Sequence, residues 1–192
     1  MVDPATAQLA RVVIRGLAAG QAVEIDGLGV FHPDPVKGVR FEPPAPRVFL
    51  AHVREDQQAA ARLCDDLAEA GFSPWIDARN LLPGQNWPRA IESAIETSDF
   101  FVACFSTRSA AKRGGFQAEI RYALDCAQRI PLEEIFIVPL RLNACRVPRV
   151  IERELQYVDL FPDWGKGARR LTAMMRREHA RRHGVACPVP AR

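Results

Sequence analysis

The sequence lacks a long hydrophobic run. No apolar stretch approaches the roughly 18 residues that a membrane-spanning helix needs, so no membrane contact is predicted. The first residues carry an early acid and no apolar core followed by a cleavage site, which predicts no secretory leader. Apolar and charged fractions of 48% and 26% are ordinary, so we expect a globular protein of the cytoplasm.

Cysteine is scarce and unpaired. The five cysteines are scattered and form no CxxC motif. Such a set is typical of reduced thiols in a cytoplasm and predicts neither a disulfide framework nor a zinc site. Cys104 lies inside an apolar run, so we expect it to be a small core residue.

Several motifs that identify enzyme classes are also missing. The chain has no GxGxxG after a strand, no GxSxG and no HExxH, and the GKG at 165–167 lacks the spacing of a phosphate-binding loop. His179 and His183 have HxxxH spacing, but arginines lie on both sides of them. We expect a solvated basic helix there and no metal site.

A proline-rich stretch, PPAP at 43–46, divides the chain. It predicts a stiff, extended linker between a small α+β module at 1–44 and a larger domain at 45–182. A tail at 183–192 follows the larger domain.

Strands and helices alternate after the linker. Continuous apolar runs such as Phe100–Phe105 predict buried parallel strands, and right-handed crossovers give an α/β fold. The prediction is a flavodoxin-like, doubly wound, five-stranded parallel sheet, in which ligands bind beyond the carboxyl ends of the strands. The loop after Ala51 and the loops at 77–85 and 106–115 should meet at that edge.

Glu119 stands out within the helix predicted over 115–129. The apolar stripe of this helix consists of Phe116, Ile120, Ala123, Leu124 and Ala127. Glu119 falls on the edge of the stripe, where a carboxylate costs free energy unless it is paired or lies in a cleft. Such a position indicates a functional site, although the helix dipole also favours a glutamate near a helix start.

Residues 47–176 resemble a bacterial TIR (Toll/interleukin-1 receptor) domain. VFLAHVRED resembles the family's first strand and the charged loop that follows it. WIDARNLLPGQNWPRAIESAIETSDFFVACFS resembles the family's second strand, BB loop, next helix and third strand. The helix with the family's catalytic glutamate resembles SAAKRGGFQAEIRYAL, which maps that glutamate onto Glu119. The last two strands match IFIVPLRLNAC and YVDL.

The resemblance implies an enzyme that cleaves NAD+ at the nicotinamide–ribose bond, with NAD+ as substrate and no cofactor. Nicotinamide leaves as a neutral molecule without protonation, so the acid of an ordinary two-carboxylate glycosidase is unnecessary. Glu119 would stabilise the oxocarbenium-like ribosyl centre. Attack by water or by an adenine nitrogen would give ADP-ribose or a cyclic isomer, in prokaryotic antiviral defence or signalling.

Other candidate residues surround this glutamate. His52 and Arg54 follow the first strand. They either contact the diphosphate or the nicotinamide side of the substrate, or form an exposed loop pair without a ligand. Ser106 ends the third strand, where it contacts ribose or simply caps the strand. Phe116 and Leu82 complete the predicted substrate-binding set.

The BB loop is predicted to mediate assembly. Its tip reads Leu81-Leu82-Pro83-Gly84, and exposed apolar residues on a loop tip indicate a contact surface. The resemblance implies that TIR domains self-associate through this loop. Trp87, just beyond it, is expected to pack as a core anchor.

The N-terminal segment resembles part of an HU/IHF-type histone-like protein. The resemblance lies in LAAGQAVEIDGLGVF and VRFEP, without the family's first helix or its DNA-inserting arm. Residues 1–46 hold four basic and five acidic groups, whereas residues 146–192 hold eleven and five. Phosphate attraction dominates DNA affinity, so this charge argues against strong binding and favours a dimerisation or sensing module.

Three functions remain open from the sequence. The first is an NAD-cleaving TIR enzyme. The second is a TIR scaffold that assembles through the BB loop without chemistry. It is favoured by Ala51 and His52, which replace a common serine and tyrosine, and by Gly115, which replaces a common aromatic residue. The third is a DNA-binding protein that uses the small module.

Overall fold

The computed structural model describes residues 3–25, 28–109 and 114–183. The chain divides into two compact units, Met1–Ala45 and Pro46–Arg192. The predicted turn residue Gly27 and the predicted tail beyond His183 lie outside the described residues.

The smaller unit combines one helix with a three-stranded antiparallel sheet of order β1-β2-β3. Its elements are α1 Pro4–Ala18, β1 Val23–Ile25, β2 Gly29–Asp34 and β3 Gly38–Glu42. The rings of Phe31 and Phe41 pack across the second strand pair with centroids 4.9 Å apart. Gly29 has a positive φ of 133°, and a Cβ there would lie 2.3 Å from the Glu42 carbonyl oxygen, so the turn requires glycine.

The larger unit contains a five-stranded parallel sheet of order β5-β4-β6-β7-β8. Its strands are β4 Arg47–Ala51, β5 Ser73–Trp75, β6 Phe100–Phe105, β7 Ile137–Arg141 and β8 Val158–Asp159. Its helices are α2 Gln57–Glu69, α3 Asp77–Asn80, α4 Trp87–Glu96, α5 Gly115–Ala127, α6 Arg149–Glu152 and α7 Trp164–Arg182, with a 3₁₀ turn at Arg54–Asp56. This architecture confirms the predicted doubly wound α/β sheet.

Strand β6 lies in the middle of the sheet, and all six of its residues are buried. Every second side chain from Phe100 onward, including Cys104, belongs to a core that is completed by α2 and α7. The alternate side chains from Phe101 onward belong to the opposite core, which is completed by α4 and α5. Burial on both faces explains why this strand is continuously apolar in the sequence.

Three local predictions need correction. The loop predicted at 77–85 begins with one helical turn, α3, because the Asn80 side chain accepts a 2.9 Å hydrogen bond from the Ile76 N–H. The strand predicted to start at Ile135 is β7, which starts at Ile137. The N–H of Ile135 instead donates a 3.1 Å hydrogen bond to the Glu178 carboxylate of α7. Trp87 was expected in the core, but it is 61% exposed.

Within the described ranges, every helix is too short or too polar to cross a membrane.

Candidate functional site

Three segments place charged side chains at the carboxyl edge of the parallel sheet. His52 directly follows β4, Asp77 begins α3 two residues after β5, and Glu119 lies in the second turn of α5, which follows β6. Parallel strands end at the same edge, and side chains that follow them converge there.

Glu119 lines a groove of about 440 Å³ between α4 and α5. Helix α4 contributes mainly apolar surface to the groove, from Pro88, Ile91 and Ile95. On α5, the residues on either side of Glu119 in the apolar stripe, Phe116 and Ile120, are buried, whereas Glu119 is half-buried. The predicted position on the edge of the stripe therefore corresponds to a carboxylate at the wall of a groove.

Burial and, as the smaller cause, the nearby negative charge of Asp77 together raise the pKa of Glu119 to about 7. A carboxyl group with this pKa is divided between its charged and neutral forms at neutral pH. Such a carboxyl group in a groove is typical of a site that binds a cation or moves a proton.

His52 lies against Asp77. Its Nε2 is 3.8 Å from the Asp77 Oδ1, its Nδ1 is 3.4 Å from the Leu50 carbonyl oxygen, and its side chain is only 4% exposed. The alternative of an exposed loop pair is therefore wrong for His52. Arg54 is exposed in the 3₁₀ turn. The structure thus brings His52, Asp77 and Glu119 together.

Asp77 is the site residue that sequence reasoning missed. It belongs to the loop that was expected at the ligand-binding edge, and an acid at the end of a strand there was the available signal. Its carboxylate also accepts a 2.7 Å hydrogen bond from the Ala78 N–H, which fixes it at the start of α3.

Ser106 is fully buried at the end of β6. Its hydroxyl donates to the buried carboxylate of Asp56 at 2.5 Å and accepts from the N–H groups of Arg108 and Ser109. The Arg108 guanidinium donates to the Glu55 carbonyl at 2.6 Å. This buried network joins the loops after β4 and β6, and it agrees with the capping interpretation of Ser106. Contact of Ser106 with ribose stays a prediction.

Phe116 and Gly115 lie in the first turn of α5, one turn before Glu119. Phe116 is 7% exposed and packs edge-on against Phe105, with centroids 5.6 Å apart. A Cβ on Gly115 would lie 3.9 Å from Oε1 of Glu119, an ordinary contact distance. The glycine therefore leaves open the space beside the carboxylate where a larger side chain would fit.

The predicted BB loop presents apolar surface. Leu82 is 66% exposed, Leu81 is half-buried, and Pro83 and Gly84 are exposed. Gly84 has a φ of 82°, a conformation that other residues rarely adopt. Trp87 extends this apolar surface at the start of α4.

Comparison with known proteins gives a consistent family match. Residues 48–172 match the family model described as TIR domain. The uncharacterized protein y4cD of Sinorhizobium fredii is 24% identical over 127 residues, which are 66% of this chain and 20% of that protein. The chain thus spans about a fifth of the length of this curated relative.

Solved structures share the fold of the larger unit. The TIR domain of the Toll-related receptor TRR-2 from Hydra magnipapillata gives a TM-score of 0.52 at 20% identity, over 66% of this chain and 97% of that one. The TIR domains of the activated Roq1 resistosome give 0.55 at 18% identity, over 68% and 99%. A metazoan TIR-STING receptor from C. gigas gives 0.57 at 21% identity, over 67% and 38%.

Proposed function

Since the chain belongs to the TIR domain family, we propose that it cleaves NAD+ at the nicotinamide–ribose bond, with Glu119 as the catalytic carboxylate. The observation that carries this proposal is the half-buried carboxyl group of Glu119, with its pKa raised to about 7, in the groove between α4 and α5. The volume of about 440 Å³ lies within the range of small-molecule sites.

The proposed reaction needs one carboxylate. The bond between C1′ of the ribose and the ring nitrogen breaks, and its electron pair neutralises the pyridinium as nicotinamide leaves. Positive charge develops on the ribosyl centre, and the ionised Glu119 stabilises it in a site where water is partly excluded. Water then adds to C1′ and releases a proton to give ADP-ribose, or an adenine nitrogen adds to give a cyclic isomer.

The raised pKa of Glu119 suits a cationic substrate. In the absence of ligand, burial and the charge of Asp77 make the ionised carboxylate unfavourable. A bound pyridinium or a developing ribosyl cation would offset this electrostatic cost. Binding of the cation favours the ionised form and releases a proton near neutral pH. Turnover is therefore expected to rise with pH through about 7.

His52 and Arg54 supply polar groups in the segment that follows β4. The His52 side chain is buried, with its ring nitrogens 3.8 Å from the Asp77 carboxylate and 3.4 Å from the Leu50 carbonyl oxygen. Arg54 is exposed on the neighbouring 3₁₀ turn, at a place where a guanidinium suits a diphosphate. We assign both residues to substrate binding, with Phe116 and Leu82 as apolar contacts.

The test is NAD+ consumption by the full chain at high protein concentration, with products separated by chromatography. Glu119→Gln removes the charge and keeps the size, and we expect a loss of about 100-fold or more in turnover. Glu92→Gln is the matched control, because Glu92 lines the same groove on α4 and is exposed. Equal turnover in Glu119→Gln and the wild type would contradict the proposal.

The second candidate is a TIR scaffold without chemistry. The observation in its favour is the exposed apolar surface of Leu82 and Trp87, which is suited to contacts between domains. The two candidates differ in the NAD+ assay. If neither the wild type nor Glu119→Gln consumes NAD+, even when the domains are clustered by fusion to an oligomer, the scaffold is the better assignment.

For the small unit we separately propose a role in dimerisation or sensing. Its basic groups are partly neutralised, since Arg40 lies 3.4 Å from the Glu42 carboxylate and His32 lies 3.0 Å from it. This pairing weakens the case for DNA binding, which depends on free cations. The HU/IHF resemblance and a DNA contact stay predictions, as does a setting in antiviral defence.

A further inference from the structure

We infer that Asp99, His179 and His183 form a binding site for a divalent transition-metal ion of the Zn2+ class. One donor atom from each of the three side chains lies within 4.8 Å of the other two. Asp99 directly precedes β6, and the two histidines lie at the end of α7. The site is thus at the amino edge of the sheet, opposite Glu119.

The two histidines share one face of α7. They are four residues apart, which is close to one helical turn, and their ring centroids are 4.3 Å apart. The arginine-rich sequence predicts a solvated helix face, and this prediction is wrong for His179, which is only 6% exposed. His183 is exposed at the helix end. One ligand is therefore fixed by the core, and the other is open to solvent.

The surrounding charges tolerate a cation. Arg182 is the nearest competing positive group, and its guanidinium lies 3.0 Å from Glu178 and 3.3 Å from Glu134. Arg182 therefore already has two carboxylate partners of its own. The Oδ2 of Asp99 accepts a 2.7 Å hydrogen bond from the Arg47 N–H. A bond of this kind orients a metal-ligating carboxylate.

The ligand set selects the kind of metal. Two imidazoles and one carboxylate suit Zn2+, Ni2+ or Cu2+, whereas Mg2+ and Ca2+ prefer oxygen donors alone. Tetrahedral Zn2+ places its donor atoms about 3.3 Å apart, so the widest separation here must contract by roughly 1.5 Å. The exposed His183 side chain can make that movement, and water can complete the coordination.

Isothermal titration of the full chain with Zn2+ after dialysis against a chelator tests this site. We expect one equivalent bound, with affinity at least tenfold lower in His183→Ala and in Asp99→Asn. His32→Ala is the matched control and should bind as the wild type does, since His32 lies in the other unit. Zn2+ should also raise the melting temperature of the wild type but not that of His183→Ala.

Two results would overturn the inference. One is undiminished Zn2+ affinity in His183→Ala. The other is a loss of binding in Cys187→Ser while His183→Ala still binds, which would assign the ion to a thiol outside the described residues. Neither readout uses NAD+, so this inference fails or holds separately from the proposed enzymatic activity.

Discussion

At the scale of a single residue, two effects make the ionised form of Glu119 unfavourable. Its carboxyl group is half removed from water, and Asp77 faces it with a charge of the same sign. Both effects favour the protonated form of the folded protein. The neutral form of the group is therefore favoured and the ionised form is costly, and the proposed cationic ligand would offset that cost.

This residue predicts an unusual pH dependence of stability. The folded pKa of about 7 exceeds the ordinary value of 4.5, so between these pH values the folded state holds a proton that the unfolded state has lost. Stability should fall as pH rises through this window. Glu119→Gln should therefore match the wild type near pH 4.5 and exceed it by roughly 1–3 kcal/mol at pH 8.

Urea unfolding of both proteins at the two pH values measures the effect. Glu92→Gln again serves as the control, because it removes an exposed carboxyl from the same groove and should show little pH-dependent gain. A constant difference between Glu119→Gln and the wild type at both pH values would mean that the Glu119 carboxyl is not desolvated.

The sequence predicts some of these residue environments and not others. Helical periodicity is sufficient to place Glu119 on the edge of an apolar stripe, because only local spacing is involved. Periodicity says nothing about Asp77, whose effect on Glu119 arises from another segment. Ser106 shows the same limit, since its partner Asp56 is fifty residues away in the chain.

At the scale of elements, α7 and β8 approach each other closely at Gly167. A Cβ there would lie 2.3 Å from the Asp159 carbonyl oxygen and 2.8 Å from the Leu160 Cα. These are backbone atoms, which cannot move as a side-chain end does. The second glycine of the GKG sequence, Gly167, is thus explained by the close packing of α7 on the segment at 159–160.

Gly167→Ala should destabilise the larger unit by about 1–3 kcal/mol, because α7 must move away from β8. Gly165→Ala is the matched control in the same helix. There the closest contact of a new Cβ is the flexible end of Arg169 at 3.2 Å, and alanine favours helix more than glycine does. Chemical denaturation compares the two variants. Equal stability of the two would contradict the close approach.

The elements that the sequence predicts well are the long or fully buried ones. Strand β6 has the predicted bounds, because a continuous apolar run is unambiguous. The amphipathic pattern with Leu171, Met174 and Met175 on one face predicts a helix over 164–182, and α7 has these bounds. The one-turn helices α3 and α6 were not predicted, since four residues are too few to show a period. The start of β7 depends on Glu178, a tertiary contact that no local pattern contains.

At the scale of the whole molecule, the proposed self-association through the BB loop can be tested directly. Leu82→Glu places a charge on the exposed loop tip, and we expect at least tenfold weaker association in sedimentation experiments. Leu132→Glu is the control, because Leu132 is a fully exposed leucine of the same unit that lies before β7 and outside the BB loop. Equal weakening by both substitutions would indicate a general effect of charge.

The division into two units was suggested by the PPAP stretch, and the family match covers only the larger unit. The large sheet is predicted from continuous apolar runs in the sequence, which form strands that are buried on both faces of the sheet. The small unit buries little, since Leu9, Val12 and Ile14 of α1 are 43%, 58% and 66% exposed. The apolar side chains of α1 are therefore available for the proposed dimerisation, a contact that local sequence patterns do not encode.

The buried pair of Asp56 and Ser106, joined by the exposed Arg108, has a consequence for the proposed binding of a substrate. Hydrogen bonds within the protein hold the Arg54–Asp56 turn to residues 106–109, so a ligand that contacts these residues is expected to cause little additional loss of conformational entropy. The BB loop is held mainly by turn hydrogen bonds between Leu82 and Gln85. For the proposed NAD+ cleavage, we therefore expect the BB loop to determine which ligands bind, and the hydrogen-bonded residues after β4 and β6 to orient the bond that is cleaved.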